Sequence, residues 1–173
     1  MESRTAKISF VLMVVGAVIW LGGINIRAVI GSDLLEFGTT EFKSNIHPMV
    51  ERELFGLIAR SSLVILPAYL LTVVSGIVFL KSTSLHLKQH GWLMMCALLF
   101  FIFVPVEIYT MILDIKMLYL DLIASSGDLV EYRKLFIHRL AALSGVPIIA
   151  LFTYYTIIGL AIFQPLKKAS ENA

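Results

Sequence analysis

Four stretches of the chain carry no charged residue: 8–26 between Lys7 and Arg27, 61–80 between Arg60 and Lys81, 91–106 before Glu107, and 140–166 between Arg139 and Lys167. A helix rises about 1.5 Å per residue, so crossing roughly 30 Å of hydrocarbon takes about 20 residues. The third stretch reaches that length only by running through Glu107 to about Leu113, which makes Glu107 an intramembrane carboxyl. The pattern predicts an all-α fold, an integral membrane bundle of four transmembrane helices. It forms a single domain over 1–173, with spans at about 8–30, 59–80, 92–113 and 139–164. The first stretch exceeds the apolar core of a signal peptide, about 7 to 15 residues, and is read as a retained span.

Helical signals continue outside the spans. Pro48 suits a first helical turn, and Val50, Leu54, Leu57 and Ile58 follow at helical spacing, a pattern that predicts an interfacial segment. Asp128 and Glu131 form a capping-box pair after Ser125-Ser126-Gly127, so the last helix is expected to begin about ten residues before its charge-free core. The third helix is expected to continue past Asp114, and the one long connection runs from about 31 to 47. Pro67, Pro105 and Pro147 all fall in the half of the membrane farther from the termini. Two readings are open: three bends at one depth around a cavity, or prolines of the kind that membrane helices tolerate. Thr72 with Gly76, and Ala141 with Gly145, have the small-xxx-small spacing of close helix packing.

Composition agrees, since 58% hydrophobic and 15% charged residues lie outside soluble usage. A net charge of +2 without a basic run excludes nucleic acid as a partner. The expected partners are the lipid bilayer and either further copies of the chain or the subunits of a larger membrane complex. The single cysteine, Cys96, rules out an intramolecular disulfide and any CxxC site. The terminal side carries six basic residues (Arg4, Lys7, Lys81, Lys88, Lys167, Lys168) in short segments, against eight on the other side. Weight given to short segments near spans places the termini in the cytoplasm, although raw counts do not.

Two constellations bear candidate chemistry. Arg27, Arg60, Glu107, His138 and Arg139 lie near the membrane boundary opposite the termini, and Arg27 or Arg139 is expected to pair with Glu107. Such a pair either locks the bundle or belongs to a polar pocket for an anionic group or a proton path. Near the other boundary, Met13, His86, His90, Met94, Met95 and Cys96 bring together soft and borderline donors. His86, His90 and Met94 are spaced by four, so on one helix they share a face suited to Cu(I) or a haem axial position. Gly91 argues instead for a helix start near Trp92, with the methionines as core filler and the histidines at the interface. His47, beside Pro48, reads as a helix-start residue. No dense catalytic motif is present.

Trp20-Leu21-Gly22-Gly23 in the first span, Ser75-Gly76 in the second and Gly91-Trp92-Leu93 opening the third occur in an order that resembles a small membrane-protein group. That group includes the bacterial four-helix protoporphyrinogen oxidase and the copper-resistance D-type membrane domain. The resemblance implies a bacterial inner membrane location and haem b or copper as the cofactor. The donor chemistry of the residues themselves makes Met13, His86, His90, Met94 and His138 the cofactor-binding candidates, and Met13, His86, His90, Met94 and Cys96 the metal candidates. In that oxidase a histidine before the first-span tryptophan is the haem ligand, and a His-x-Lys follows the third-span Trp-Leu. Met13, Met94 and Cys96 hold those places here, which counts against protoporphyrinogen oxidation. Arg27 resembles a basic residue near the end of the family's first helix. Three functions follow as expectations. The favoured one is a non-enzymatic bundle or accessory subunit; the others are a haem- or copper-linked protein of redox or porphyrin metabolism and a small transporter.

Overall fold

The computed structural model describes residues 3–85, 87, 90–123 and 128–165. Six α-helices follow in order: α1 (Arg4–Asp33), α2 (Pro48–Ser82), α3 (Gly91–Ile102), α4 (Val104–Leu122), α5 (Leu129–Leu140) and α6 (Val146–Phe163). No strand occurs among the described residues, where an isolated antiparallel bridge joins Leu35 and Phe42. Among the described residues, four helices are long and apolar enough to cross a membrane: α1, α2, the composite Gly91–Leu122 and α6. The chain is an all-α membrane bundle.

Two expectations about helix continuity change. The last helix does not run unbroken from Asp128. Asp128 does cap α5, accepting the Val130 N–H at 3.1 Å. α5 then ends, and a short 3-10 turn (Ala142–Gly145) with φ of 49° at Leu143 and 87° at Gly145 precedes α6. Left-handed backbone at Gly145 cannot continue a right-handed helix, and Pro147, lacking an N–H, sits in the first turn of α6. The fourth span therefore begins at Val146 rather than near 139, and Ala141 and Gly145 end helices instead of forming a packing stripe. The third span divides similarly at Phe103, with Pro105 in the first turn of α4. Pro67 alone of the three prolines lies inside a continuous helix. Two of the expected bends are thus helix starts.

α1 and α2 have 30 and 35 residues, or about 45 and 52 Å at 1.5 Å per residue, well beyond the hydrocarbon thickness. Their excess and that of α4 lie opposite the termini, where α5 packs against them to form a helical head. Leu34, Phe55, Ile58, Ala59, Met117, Leu120, Tyr132 and Phe136 form the head's core. Phe55 stacks on Tyr132 at 5.6 Å, and Phe42 from the 34–47 connection meets Phe55 and Phe136 at 6.0 and 6.2 Å. The long connection is thereby pinned to the head, and a Lys43 N–H to Leu34 carbonyl bond of 3.0 Å closes it.

Within the membrane layer α1 and α2 are close antiparallel partners, and the Ser3 hydroxyl donates to the Ser82 carbonyl at 3.0 Å. Small residues permit the approach. A Cβ at Gly16 would stand 2.6 Å from Thr72 Oγ1 and 2.9 Å from the Ala68 carbonyl oxygen. Thr72 and Gly76 do line this seam. α6 packs on α3, and the two pairs meet around Trp20, Ile65, Ala68, Tyr69, Ala150 and Tyr154.

Candidate functional site

Asp114 lies seven residues after Glu107, and Asp121 seven after Asp114; two helical turns separate each pair, so α4 carries all three carboxyls on one face about 10 Å apart. Each meets a different partner. Asp121 receives Arg60 Nε at 2.8 Å, with the arginine half exposed. Asp114 receives the Arg27 fork at 2.9 and 2.7 Å, and Arg139 Nε at 2.6 Å. The Arg27 and Asp114 side chains are 4% and 3% exposed, and Arg139 is 21% exposed. Glu107 accepts the Tyr154 hydroxyl at 3.1 Å and is 8% exposed.

The expected partnership of Arg27 or Arg139 with Glu107 is therefore corrected, because both arginines go to Asp114. The reason is register. Arg27 is two turns past Trp20 on α1, and Asp114 is two turns past Glu107 on α4. Trp20 and Tyr154 pack together at a ring distance of 4.7 Å, which leaves Arg27 one step closer to the head than Glu107. A planar guanidinium fork also matches a carboxylate edge, whereas a phenol supplies a single donor. Arg139 reaches the same carboxylate from the end of α5, so one anion ties α1, α4 and α5 together.

Above Glu107 lies an aromatic cage. Trp20 contacts Tyr69 at 4.8 Å and Tyr154 at 4.7 Å, with Phe100 edge-on to Trp20 at 6.5 Å. The Tyr69 hydroxyl is buried with no hydrogen-bond partner, and Arg27 Nε likewise has none. In the head, Arg133 grips Glu51 with two bonds of 2.6 Å while its guanidinium carbon sits 5.1 Å from the Phe42 ring centre. Hydrogen bonding to Glu51 holds the Arg133 pKa above its ordinary value, and desolvation raises that of the Tyr132 phenol.

The soft donors settle on separate contacts. Met13 Sδ would lie 3.5 Å from a Cβ at Gly76, so it fills the seam between α1 and α2. The Cys96 thiol donates to the Ile157 carbonyl at 3.7 Å, between α3 and α6. Met94 and Met95 are 48% and 38% exposed on α3. His90 is the N-cap of α3 and accepts the Met94 N–H on its carbonyl at 3.2 Å. His86 lies outside the described residues. His138 Nε2 stands 2.9 Å from the Tyr109 hydroxyl, and His47 caps α2 through Nδ1 and the Met49 N–H. No group of three or more His, Cys, Asp or Glu placed to hold a metal occurs among the described residues. Among the described donors, Met13 thus lies at the seam of α1 and α2, while His90, Met94 and Cys96 belong to α3.

Asp114, Tyr69 and Tyr154 were not singled out by the sequence reading. A seven-residue repeat of carboxyls on one helix face was the signal available for Asp114; the tyrosines carry none. No family model, no curated protein and no solved structure matches the chain.

Proposed function

We propose that the protein is a non-enzymatic membrane component: a four-span bundle whose head is held rigidly beyond the bilayer for assembly with further copies or with the subunits of a larger membrane complex. The observation that carries this reading is Asp114, which binds arginines from two other helices in an enclosed layer between membrane and head. Charges turned on one another in this way fix relative helix positions. The Arg133–Glu51 fork does the same for α5 and the start of α2. The short basic segments at Arg4, Lys7 and Lys81 favour a bacterial inner membrane orientation with cytoplasmic termini and the head on the other side.

A second reading keeps a haem- or copper-linked role through His90 and Met94, which stand one turn apart at the start of α3. Protein purified in mild detergent separates the two. Oxidised and reduced absorption spectra, copper analysis and native mass spectrometry are expected to give a colourless, copper-free assembly larger than one chain. A Soret band with a reducible α-band, or one copper per chain, overturns the first reading in favour of the second. A colourless single chain overturns the assembly role.

A further inference from the structure

The Glu107 carboxyl is set between two opposed influences. It is 8% exposed within the bundle and accepts the Tyr154 hydroxyl at 3.1 Å, where a carboxylate has room for about four donors. An under-solvated anion of this kind favours the protonated state. On the head side of it stand Arg27, Arg139 and Asp114, two cations and one anion. That surplus positive charge favours the ionised state, because a Glu107 carboxylate makes the four-residue group neutral.

The surroundings supply what each state needs. Tyr69, 2% exposed, shares the Trp20 cage with Tyr154, and its hydroxyl has no partner. The groups facing Glu107 are Asp114 and Thr110 from α4, Arg139 from α5 and Tyr154 from α6, while α1, α2 and α3 contribute Trp20, Tyr69 and Phe100 to the cage beside Tyr154.

We propose that Glu107, with the hydroxyl of Tyr154, is a proton-binding site inside the bundle. A proton from water adds to the carboxylate and returns to water on release. Tyr154 donates to Oε1 of the ionised form. The site couples protonation to the seating of α6, because Tyr154 is the residue of α6 hydrogen-bonded to Glu107.

The test is infrared difference spectroscopy of the full chain in lipid vesicles, stepped from acidic to alkaline buffer. A protonated-carboxyl C=O band is expected that disappears with rising pH, is missing in Glu107→Gln, and shifts in frequency in Tyr154→Phe. If Glu107→Gln does not fold, the wild-type chain is treated with dicyclohexylcarbodiimide. This reagent adds a protonated carboxyl across its C=N bond, the proton passing to nitrogen and the carboxyl oxygen to carbon, before rearranging to a stable acylurea. Labelling at Glu107 is expected to fall about tenfold per pH unit above the titration midpoint. A carboxyl band that persists in Glu107→Gln, no pH-dependent band, or no label on Glu107 at any pH overturns the proposal.

Discussion

Replacing Asp114 by Ala removes the acceptor of three charge-assisted hydrogen bonds of 2.9, 2.7 and 2.6 Å and leaves two guanidinium groups facing each other. Arg27 has nowhere to go, since its side chain is 4% exposed, whereas Arg139 at 21% can recover some hydration. Breaking a buried ion pair by deleting one partner costs about 3–5 kcal/mol, and the trapped Arg27 places Asp114→Ala in that range. Polar contacts between membrane helices average only about 0.6 kcal/mol, so the two cases are well separated. The assay is reversible unfolding by SDS in mixed micelles, followed by helical circular dichroism. A thiol probe on Cys96, the chain's single cysteine and 9% exposed, gives a second signal from α3. Coupling between Arg27→Gln and Asp114→Asn in a double-mutant cycle is expected at the upper end of about 0.5–3 kcal/mol. A loss under about 1 kcal/mol for Asp114→Ala would falsify the reasoning, since Asp114 would then be one interhelical contact among many.

Gly16→Leu is expected to separate α1 from α2, because even a Cβ there meets Thr72 Oγ1 and the Ala68 backbone below 3.0 Å, at a cost of about 2 kcal/mol or more by the same titration. Gly22→Ala is its control: nothing lies within 4 Å of that Cβ, and the change is expected to be neutral or to stabilise by up to about 1 kcal/mol. Arg133→Ala leaves Glu51, 2% exposed, without its fork and removes the cation from Phe42. Hydrogen exchange is expected to accelerate in α5 and in 34–47, by about 1–3 kcal/mol in opening free energy, while α1 and α2 within the membrane are unchanged. Uniform acceleration throughout the chain would contradict a separately held head. Gly145→Ala puts a side chain at φ 87° and is expected to cost about 1–2 kcal/mol in thermal or SDS unfolding; an unaltered midpoint would show that the break before α6 relaxes freely.

The spans themselves were legible in the sequence. Charge-free runs of bilayer length are a local, one-dimensional consequence of the cost of carrying charge and free backbone through hydrocarbon, so they need no knowledge of neighbours. Asp128 as a cap and His47 as a helix start were legible for a similar reason, because capping acts over three or four residues. The long run from 140 to 166 concealed its break, since Leu143 and Gly145 interrupt a helix through backbone conformation that hydropathy does not record. Glu107 and the arginines were visible as costly residues that require partners, but the choice of partner was not. It depends on the depth at which Arg27 of α1 and Arg139 of α5 arrive beside α4. That depth is set by packing around Trp20 and the Gly16 seam, between residues more than 40 positions apart. The sequence thus determined which segments enter the membrane and which groups cannot be left alone there. Tertiary structure decided that Asp114 takes both arginines while Glu107 meets the Tyr154 hydroxyl, because pairing follows three-dimensional register, and register is the joint outcome of every helix contact.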